Sequence, residues 1–514
     1  MSSGTNGVAG ARPAAVELQG INKWFSSNHA NKNIDLRVEA GTIHGIVGEN
    51  GAGKSTLMNI LYGLYQADTG TISVDGKPLS ITRSEDAIEA GIGMVHQHFM
   101  LVEPFTVLEN VLLGAEGGFT LKGGALAARQ ELVRLEKEYS LEVDVDAVVA
   151  DLPVGIQQRV EILKALFRGA KVLILDEPTG VLTPQEADHL FRILDNLRSQ
   201  GRTVILITHK LREIMAATDQ VSVMRRGEMV AHRRTPETST EELAELMVGR
   251  KVLLRVEKKP ASPGKPILEV DHLDVVDEIG VRRVKDVSFN VRAGEIVGIA
   301  GVAGNGQSQL LDAIAGIRKA ARGSIRIGGA EVVDPAQARS NKLGHVPEDR
   351  LRVGLVRGFA AYENAILGYQ LEPDYNANGF LRLSHIYKTC QDWMTSYDVR
   401  PDNPSLEATS FSGGNQQKLV MAREIEHDPQ LLLVGQPTRG VDIGAIEFIH
   451  KRLIEMRDAG KAILVVSVEL DEIRSLADRI IVMFDGMITG ELAADEADEQ
   501  CIGLLMAGIR EKAA

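Results

Sequence analysis

The sequence predicts an α/β protein made of two homologous halves in tandem, each a mainly parallel sheet covered by helices. Three observations carry this. The chain repeats itself at an almost constant offset. Short Val/Ile/Leu runs alternate with helical stretches, the pattern of parallel strands buried on both faces. A glycine-rich turn joins an apolar run to a helix in the first half, and a related turn stands at the same place in the second.

The repeat comes first, because missing one mis-assigns a whole fold. Val154-Gly155-Ile156-Gln157-Gln158-Arg159-Val160 matches Gly413-Gly414-Asn415-Gln416-Gln417-Lys418-Leu419 at an offset of 259 residues. Leu173 to Thr179 matches Leu432 to Thr438, and Val204 to Thr208 matches Ile463 to Ser467, both at 259. Gly48 to Ser55 matches Gly301 to Ser308 at 253. The predicted organisation is a disordered tail over 1–15, a first domain over 16–250, a linker over 251–265 and a second domain over 266–510. The linker segment Glu257 to Lys265 is polar and holds two prolines.

Within the first half, Ile43 to Val47 reads as a strand and Lys54 to Tyr62 as a helix. A long insert follows, then a glutamine-led helix. The strands Val172–Leu175 and Val204–Ile207 close the half, with a helix between them.

Composition narrows the function. The 514 residues are room for two to four domains at about 150 residues each. A net charge of −13 argues against a sequence-independent nucleic-acid binder, which needs a basic stripe. With 12 Phe, 2 Trp and 8 Tyr, no base-stacking platform is expected. Two cysteines, Cys390 and Cys501, exclude a disulfide scaffold and a cysteine-ligated zinc site, and fit a reducing, cytosolic compartment. No apolar run approaches the length of a membrane span. The Ser/Gly/Ala-rich start lacks the pattern of a signal peptide.

The chemistry starts at Gly48-Glu49-Asn50-Gly51-Ala52-Gly53-Lys54-Ser55, which fits G-x-x-x-x-G-K-[ST]. Its glycines let successive N–H groups point into one concavity, and the next helix adds its N-terminus, so phosphate oxygens bind there. Lys54 is expected to reach the β- and γ-phosphates, and the Ser55 hydroxyl to ligate Mg²⁺. Asp176 and Glu177 end an apolar strand: Asp176 is expected to hold Mg²⁺ and Glu177 to polarise the attacking water. His209 follows the next strand and is placed near the γ-phosphate. Gln97, after Gly93 to His96, is expected to sense both metal and water.

Together these residues resemble the ATP-binding-cassette ATPases, over nearly the whole chain and twice. Ser412-Gly413-Gly414-Asn415-Gln416-Gln417 resembles the family signature. The resemblance implies two tandem RecA-like P-loop nucleotide-binding domains, each with an antiparallel β subdomain and a helical subdomain. It also implies ATP and Mg²⁺ as ligands. It adds Thr56 to the phosphate loop, Ser412, Gly413, Gly414 and Asn415 as nucleotide contacts, Phe25 (or Trp24) as the adenine-stacking aromatic, and Asp442 as an interface residue. The chain looks most like the fused double-cassette ATPases of bacterial sugar and nucleoside importers. Val95 to Phe99, Val107 to Asn110 and Gln157 to Lys164 resemble the nucleoside branch. That kinship implies two membrane permease subunits, an extracytoplasmic solute-binding (lipo)protein, no nucleic acid, and a peripheral place on the cytoplasmic face of the cell membrane. The helical inserts after Gln97 and after Glu348 are the docking surfaces this implies.

The two halves have decayed differently. The second keeps Gly301, Gly304, Gly306 and Ser308 but has Gln307 for Lys54, Gly435 for Asp176, Gln436 for Glu177, Val468 for His209 and Glu348 for Gln97. Its loop lysine and both strand-end carboxylates are gone, yet its signature is intact. The first half keeps every hydrolytic group but reads Leu152-Pro153-Val154-Gly155-Ile156 at its signature. Pro153 has neither hydroxyl nor N–H to offer, and Val154 adds bulk. If each half used its own signature, both sites would be damaged. Head-to-tail pairing gives one complete site, from the first half's phosphate loop and the second half's signature. Three other readings stand beside the nucleoside importer: a simple-sugar importer ATPase, a tandem-cassette ribosome-associated ATPase, and a scaffold in which ATP only joins the halves.

Overall fold

The structure is a computed structural model. It describes residues 13–26, 28–96, 99–114, 121–180, 182, 184–251, 258–302, 304–441 and 443–509. Gln97 and Asp442 lie outside the described residues, as does most of the expected tail. The chain divides into two compact units between residues 252 and 253.

Unit 1 has two sheets. The larger runs in the order Glu228–Arg234, Gln220–Arg225, Ile43–Gly48, Thr203–Thr208, Val172–Asp176, Ile92–Val95. All its pairings are parallel except that of Glu228–Arg234 with Gln220–Arg225. Every residue of Ile43–Gly48, Val172–Asp176 and Thr203–Thr208 is buried. That is why these strands read as unbroken apolar runs rather than alternating ones. Parallel strands need crossovers, and the helices Lys54–Leu61 and Pro184–Ser199 supply two of them. The smaller sheet is antiparallel, in the order Asn28–Glu39, Ala14–Phe25, Thr69–Val74, Lys77–Leu79. Its alternating residues (Val16, Leu18, Ile34, Leu36, Val38) pack on Leu57, Met58 and Leu61 of the helix after the phosphate loop. A helical layer of Val107–Leu112, Leu121–Tyr139 and Val154–Phe167 covers another face.

Unit 2 repeats both sheets in the same order. Its larger sheet is built on Glu295–Ala300, Ala462–Ser467 and Leu431–Gly435, again buried throughout. Its helical layer holds Ala361–Ala365, Leu383–Ser396 and Gly413–Glu426, plus a two-stranded ribbon, Asn376–Ala377 with Phe380–Leu381, that the sequence reading did not foresee.

Two boundaries move. The first strand begins at Ala14, inside the segment expected as a disordered tail, because Ala14 and Val16 pair with Glu39 and Val38. Residues 258–265, expected as linker, lie against unit 2. Lys258 Nζ donates to Leu476 O at 3.1 Å and lies 3.4 Å from Asp478, and Gly264 N donates to Ala293 O at 2.8 Å.

One ionic clamp recurs in both units at the start of the central strand. In unit 1, Asp219 accepts from Ile43 N and from Arg198 Nη1, each at 2.8 Å. In unit 2, Asp478 accepts from Ile296 N at 3.0 Å and from Arg457 Nη1 at 2.8 Å. The Arg457 side chain is only 1% exposed, so losing its partner leaves a buried cation short of an acceptor. Asp458 and Lys259 O keep it partly satisfied. Asp478→Ala is therefore expected to lower the unfolding free energy of unit 2 by about 2 kcal/mol, below the full cost of orphaning a buried charge. Urea unfolding measures it, and a loss under about 0.5 kcal/mol would show that the clamp is a surface pair of little weight.

Candidate active site

The working parts of unit 1 sit where three neighbouring parallel strands end. Val47 stands opposite Thr208, and Asp176 opposite Ile207. The turns after Gly48, Asp176 and Thr208 therefore leave the sheet at one edge, the place where open α/β sheets bind ligands.

The phosphate loop follows Gly48. A Cβ at Gly48 would lie 2.4 Å from Met224 O, and one at Gly53 would lie 2.5 Å from Ala30 O. Gly53 also has φ +99°, a conformation that disfavours any side chain. Asn31 Nδ2 holds the loop from outside by donating to Gly53 O at 3.1 Å. The helix Lys54–Leu61 starts directly after it, so its first N–H groups face the concavity.

Lys54 is buried and folds back, donating from Nζ to Gly48 O at 2.7 Å and to Glu49 O at 3.0 Å. Burial lowers its pKa, opposed by Glu177, Asp176 and Glu49. Burial raises the pKa of Asp176, against the opposing, lowering influence of the neighbouring Ser55 hydroxyl. A hydroxyl paired with a carboxylate is an all-oxygen donor set, which suits Mg²⁺, and the burial of Asp176 leaves its charge poorly solvated without a cation. Ser55 and Asp176 thus fit the metal the sequence predicts.

Glu177 is in the left-handed region at φ +48°, unusual for a non-glycine residue. Its N–H donates to Ile207 O at 2.9 Å, which fixes this turn to the neighbouring strand. His209 Nδ1 lies 2.9 Å from Glu177 Oε1. Burial pushes the Glu177 pKa up, but the hydrogen bond and charge of His209, with Lys54 and Lys210, outweigh it, and the pKa is lowered. The structure thus brings Lys54, Ser55, Asp176, Glu177 and His209 together.

Phe25 and Trp24 are both exposed at the end of the strand Ala14–Phe25. Phe25 meets Tyr65 edge-on at 5.2 Å, while Trp24 stacks on His29 at 4.0 Å. Trp24 thus already has a ring partner on one face.

Two supporting residues escaped the sequence reading. Glu213, buried on the helix Leu211–Ala217, bonds Thr179 in the turn after Glu177. Its pKa is raised by burial. Gln158 Nε2 donates to Pro178 O at 2.8 Å in the same turn. The sequence signal was available for Glu213, since Glu472 stands 259 residues later, but nothing local distinguishes it from a solvated helix residue.

Unit 2 keeps the backbone and changes the groups. Gly306 takes the N-cap at φ +98° and ψ 0°, against +99° and 4° for Gly53. Gln436 has φ +48° and its N–H donates to Val466 O at 2.7 Å, as Glu177 does to Ile207. Gln307 Nε2 donates to Val302 O at 3.1 Å, the carbonyl matching that of Glu49. The Gln436 amide oxygen accepts from Val468 N at 3.3 Å. No carboxylate remains at 435 or 436, as the sequence indicates. The Glu348 carboxylate, however, accepts from Ser308 Oγ, and a Cβ at Gly435 would lie 2.5 Å from Glu348 Cγ. Glu348 occupies the space an aspartate at 435 would need.

The signature segments differ at the head of their helices. Ser412 caps the helix Gly413–Glu426, accepting from Asn415 N and, at 2.9 Å, from Asn415 Nδ2. A Cβ at Gly413 would lie 2.7 Å from Gly440 O. In unit 1, Pro153 precedes the helix Val154–Phe167 and gives it no side-chain cap, and Val154 is exposed.

Replacing His209 tests this geometry without any ligand. Since His209 lowers the Glu177 pKa, His209→Ala is expected to raise it, so the carboxylate takes up its proton at higher pH. Carboxyl ¹³C shifts of Glu177 against pH read this directly. An unmoved titration would mean that the 2.9 Å contact carries no electrostatic weight.

The ABC transporter family model matches residues 31–180 and 284–439. The guanosine import ATP-binding protein NupO of Bacillus subtilis is 48% identical, over 97% of this chain and 98% of its own length. The nucleoside import ATP-binding protein NupA of Lactococcus lactis is 46% identical, over 97% and 99%. The glucose import ATP-binding protein TsgD13 of Haloferax volcanii is 43% identical, over 97% and 96%. The phosphate loop and strand-end acids of the first half, and the recurrence of the same scaffold in the second, have one explanation: this chain belongs to the ABC transporter family and is a double-cassette import ATPase.

Proposed function

We propose that the chain hydrolyses ATP at unit 1 and couples it to nucleoside import through membrane permeases. The observation that carries the catalytic reading is the Glu177–His209 pair, 2.9 Å apart, at the same sheet edge as Lys54, Ser55 and Asp176. The loop N–H groups and the helix N-terminus hold the phosphates. Lys54 turns its donors from the loop carbonyls to the phosphate oxygens. Ser55 and Asp176, joined by Gln97, hold Mg²⁺, which when bound neutralises charge on the phosphates. Glu177 accepts a hydrogen bond from the attacking water and orients it, and His209 fixes the Glu177 carboxylate. Phe25 stacks on the adenine.

Hydrolysis further requires the Ser412-Gly413-Gly414-Asn415 signature of unit 2, because unit 1 has Pro153 and Val154 in that role. The complementary losses in the two halves support this dependence. Among the described residues no helix is long and apolar enough to cross a membrane. Two permease subunits supply the pathway, and an extracytoplasmic solute-binding lipoprotein delivers the cargo. The chain then works at the cytoplasmic face, docked by the helical layers after Gln97 and Glu348. The names of the two nucleoside-importing relatives support nucleosides over simple sugars.

Uptake by a deletion strain tests the whole reading. The parent gene is expected to restore purine-nucleoside uptake. Glu177→Gln is expected not to, and the purified variant should retain bound ATP with turnover lowered about 10²–10⁴-fold. Intact nucleoside uptake with lost simple-sugar uptake would reassign the cargo. Parental turnover by Glu177→Gln would remove that residue from its role.

A further inference from the structure

Glu177 and His209 stand on separate turns, so their spacing depends on what fixes those turns to each other. Glu177 sits past the end of its strand at φ +48°, a conformation a non-glycine residue keeps only where its surroundings fix it. Three contacts do so in unit 1. Glu177 N donates to Ile207 O at 2.9 Å. Gln158 Nε2, from the helix Val154–Phe167, donates to Pro178 O at 2.8 Å. Thr179 Oγ1 donates to the carboxylate of Glu213, on the helix Leu211–Ala217 that starts two residues after His209. Glu213 N donates in turn to Lys210 O at 3.1 Å, which fixes the glutamate to the backbone beside His209. Thr179 and Glu213 are both buried, so water does not compete for their bond.

Unit 2 keeps the same residues and drops both side-chain contacts. Gln417, Thr438 and Glu472 stand 259 residues after Gln158, Thr179 and Glu213. The backbone is unchanged: Gln436 N donates to Val466 O at 2.7 Å, and Glu472 N to Glu469 O at 3.1 Å. The buried Gln417 Nε2, however, has no hydrogen-bond partner among the described residues. Glu472 Oε1 lies 3.1 Å from His450 Nε2, on the helix Ile443–Asp458, and Glu472 Oε2 has no partner among the described residues. Unit 1 has Phe191 at the place of His450, so no imidazole at that place competes for Glu213. A bond needed only to hold the fold would be kept in both units. It is made where a carboxylate and an imidazole meet at 2.9 Å, and released where Gln436 and Val468 stand in their place.

Resting on the ATPase reading of unit 1, we propose that Glu213 is a positioning residue for hydrolysis. Through Thr179 it ties the turn of Glu177 to the helix behind His209, and so sets the spacing of that pair. Gln158 braces the same turn from the opposite neighbour in sequence, the helix before the strand. The brace acts on the chemical step. A small misplacement of the group that orients the water slows hydrolysis, whereas the phosphate loop and Lys54, which hold ATP, lie on other elements. What it requires at position 213 is an acceptor oxygen at that reach and not a charge. Glutamine therefore serves there, and alanine does not.

The test measures ATP turnover of the full chain assembled with its permeases, together with the imidazole ¹⁵N shifts of His209. Glu213→Ala is expected to lower kcat by roughly 10–10²-fold and to leave KM for ATP within about twofold, as expected for a group that acts only on the chemical step. Glu213→Gln should restore most of kcat. Thr179→Val, the second variant, removes only the hydroxyl and should match Glu213→Ala, while Thr179→Ser should behave as the parent. The double variant Thr179→Val/Glu213→Ala should lose no more than either single one, because both break one contact. In Glu213→Ala the Nδ1 shift of His209 should move toward its value in Glu177→Gln, a change that loss of stability alone would not produce in the folded chain. Glu472→Ala, the buried counterpart, should keep parental turnover, and thermal melting checks that every variant is folded. Parental kcat in both Glu213→Ala and Thr179→Val overturns the proposal. So does a rise in KM with kcat unchanged, a Glu213→Gln loss equal to that of Glu213→Ala, an unmoved His209 shift, or an equal loss of turnover in Glu472→Ala. Parental turnover by Glu177→Gln in the same assay would instead overturn the ATPase reading on which the proposal rests.

Discussion

The parallel pairing of Ile43–Gly48, Thr203–Thr208 and Val172–Asp176 is the constraint on which the site depends. The three strands are buried along their whole length, so sheet hydrogen bonds and close packing leave their register little freedom. Their register sets Gly48, Asp176 and Thr208 at one edge, and the glycine loop, the acidic turn and the histidine follow from that placement. Slipping one strand by a single residue would turn Asp176 to the other face of the sheet. The bond from Glu177 N to Ile207 O extends the pairing one residue past the strand, into the left-handed turn that aims the carboxylate. Asp219 and Asp478 pin the opposite end of each central strand.

The same scaffold carries different chemistry in the two units. Backbone angles at the loop and the acidic turn agree within about 12° between the units at the glycines and at residue 177 or 436, a spread inside the ordinary scatter of a regular conformation. The side chains diverge completely in charge at positions 54, 176 and 177. A fold supported by buried apolar strands tolerates this, because the functional groups lie at strand ends and in turns, where little packing depends on them. Unit 2 keeps what needs backbone and loses what needs ionisable groups, with Glu348 as the exception. The segment after Glu348 also reaches the signature helix. Arg350 donates from Nη1 to Arg439 O at 2.8 Å, and its Nε lies 3.4 Å from Gln416 Oε1.

Much of this was legible from the sequence. The strands Ile43–Gly48, Val172–Asp176 and Thr203–Thr208 lie within a residue of the expected bounds, because fully buried strands give unbroken apolar runs. The phosphate loop was legible for a different reason: its glycines answer a backbone requirement that no other residue meets. Contacts between distant segments were not legible. Ser308 and Glu348 are 40 residues apart and meet only in the folded sheet, so the sequence shows a missing aspartate and hides its replacement. Glu213 and Asn31 act through contacts with residues 34 and 22 positions away, and neither carries a local pattern. The polar, proline-bearing stretch before Pro266 reads as linker, yet Lys258 and Gly264 bond unit 2, because composition reports solubility and not docking.

The central claim is that hydrolysis at the unit 1 loop draws on the unit 2 signature. ATP turnover of a Ser412→Arg chain, assembled with its permeases, tests it most directly. Ser412 is exposed and caps the helix Gly413–Glu426, so the fold of unit 2 can accept the change. The account predicts that turnover collapses to background, although every hydrolytic group of unit 1 is untouched. Turnover at the parental rate would show that unit 1 works without that signature, and would contradict the account.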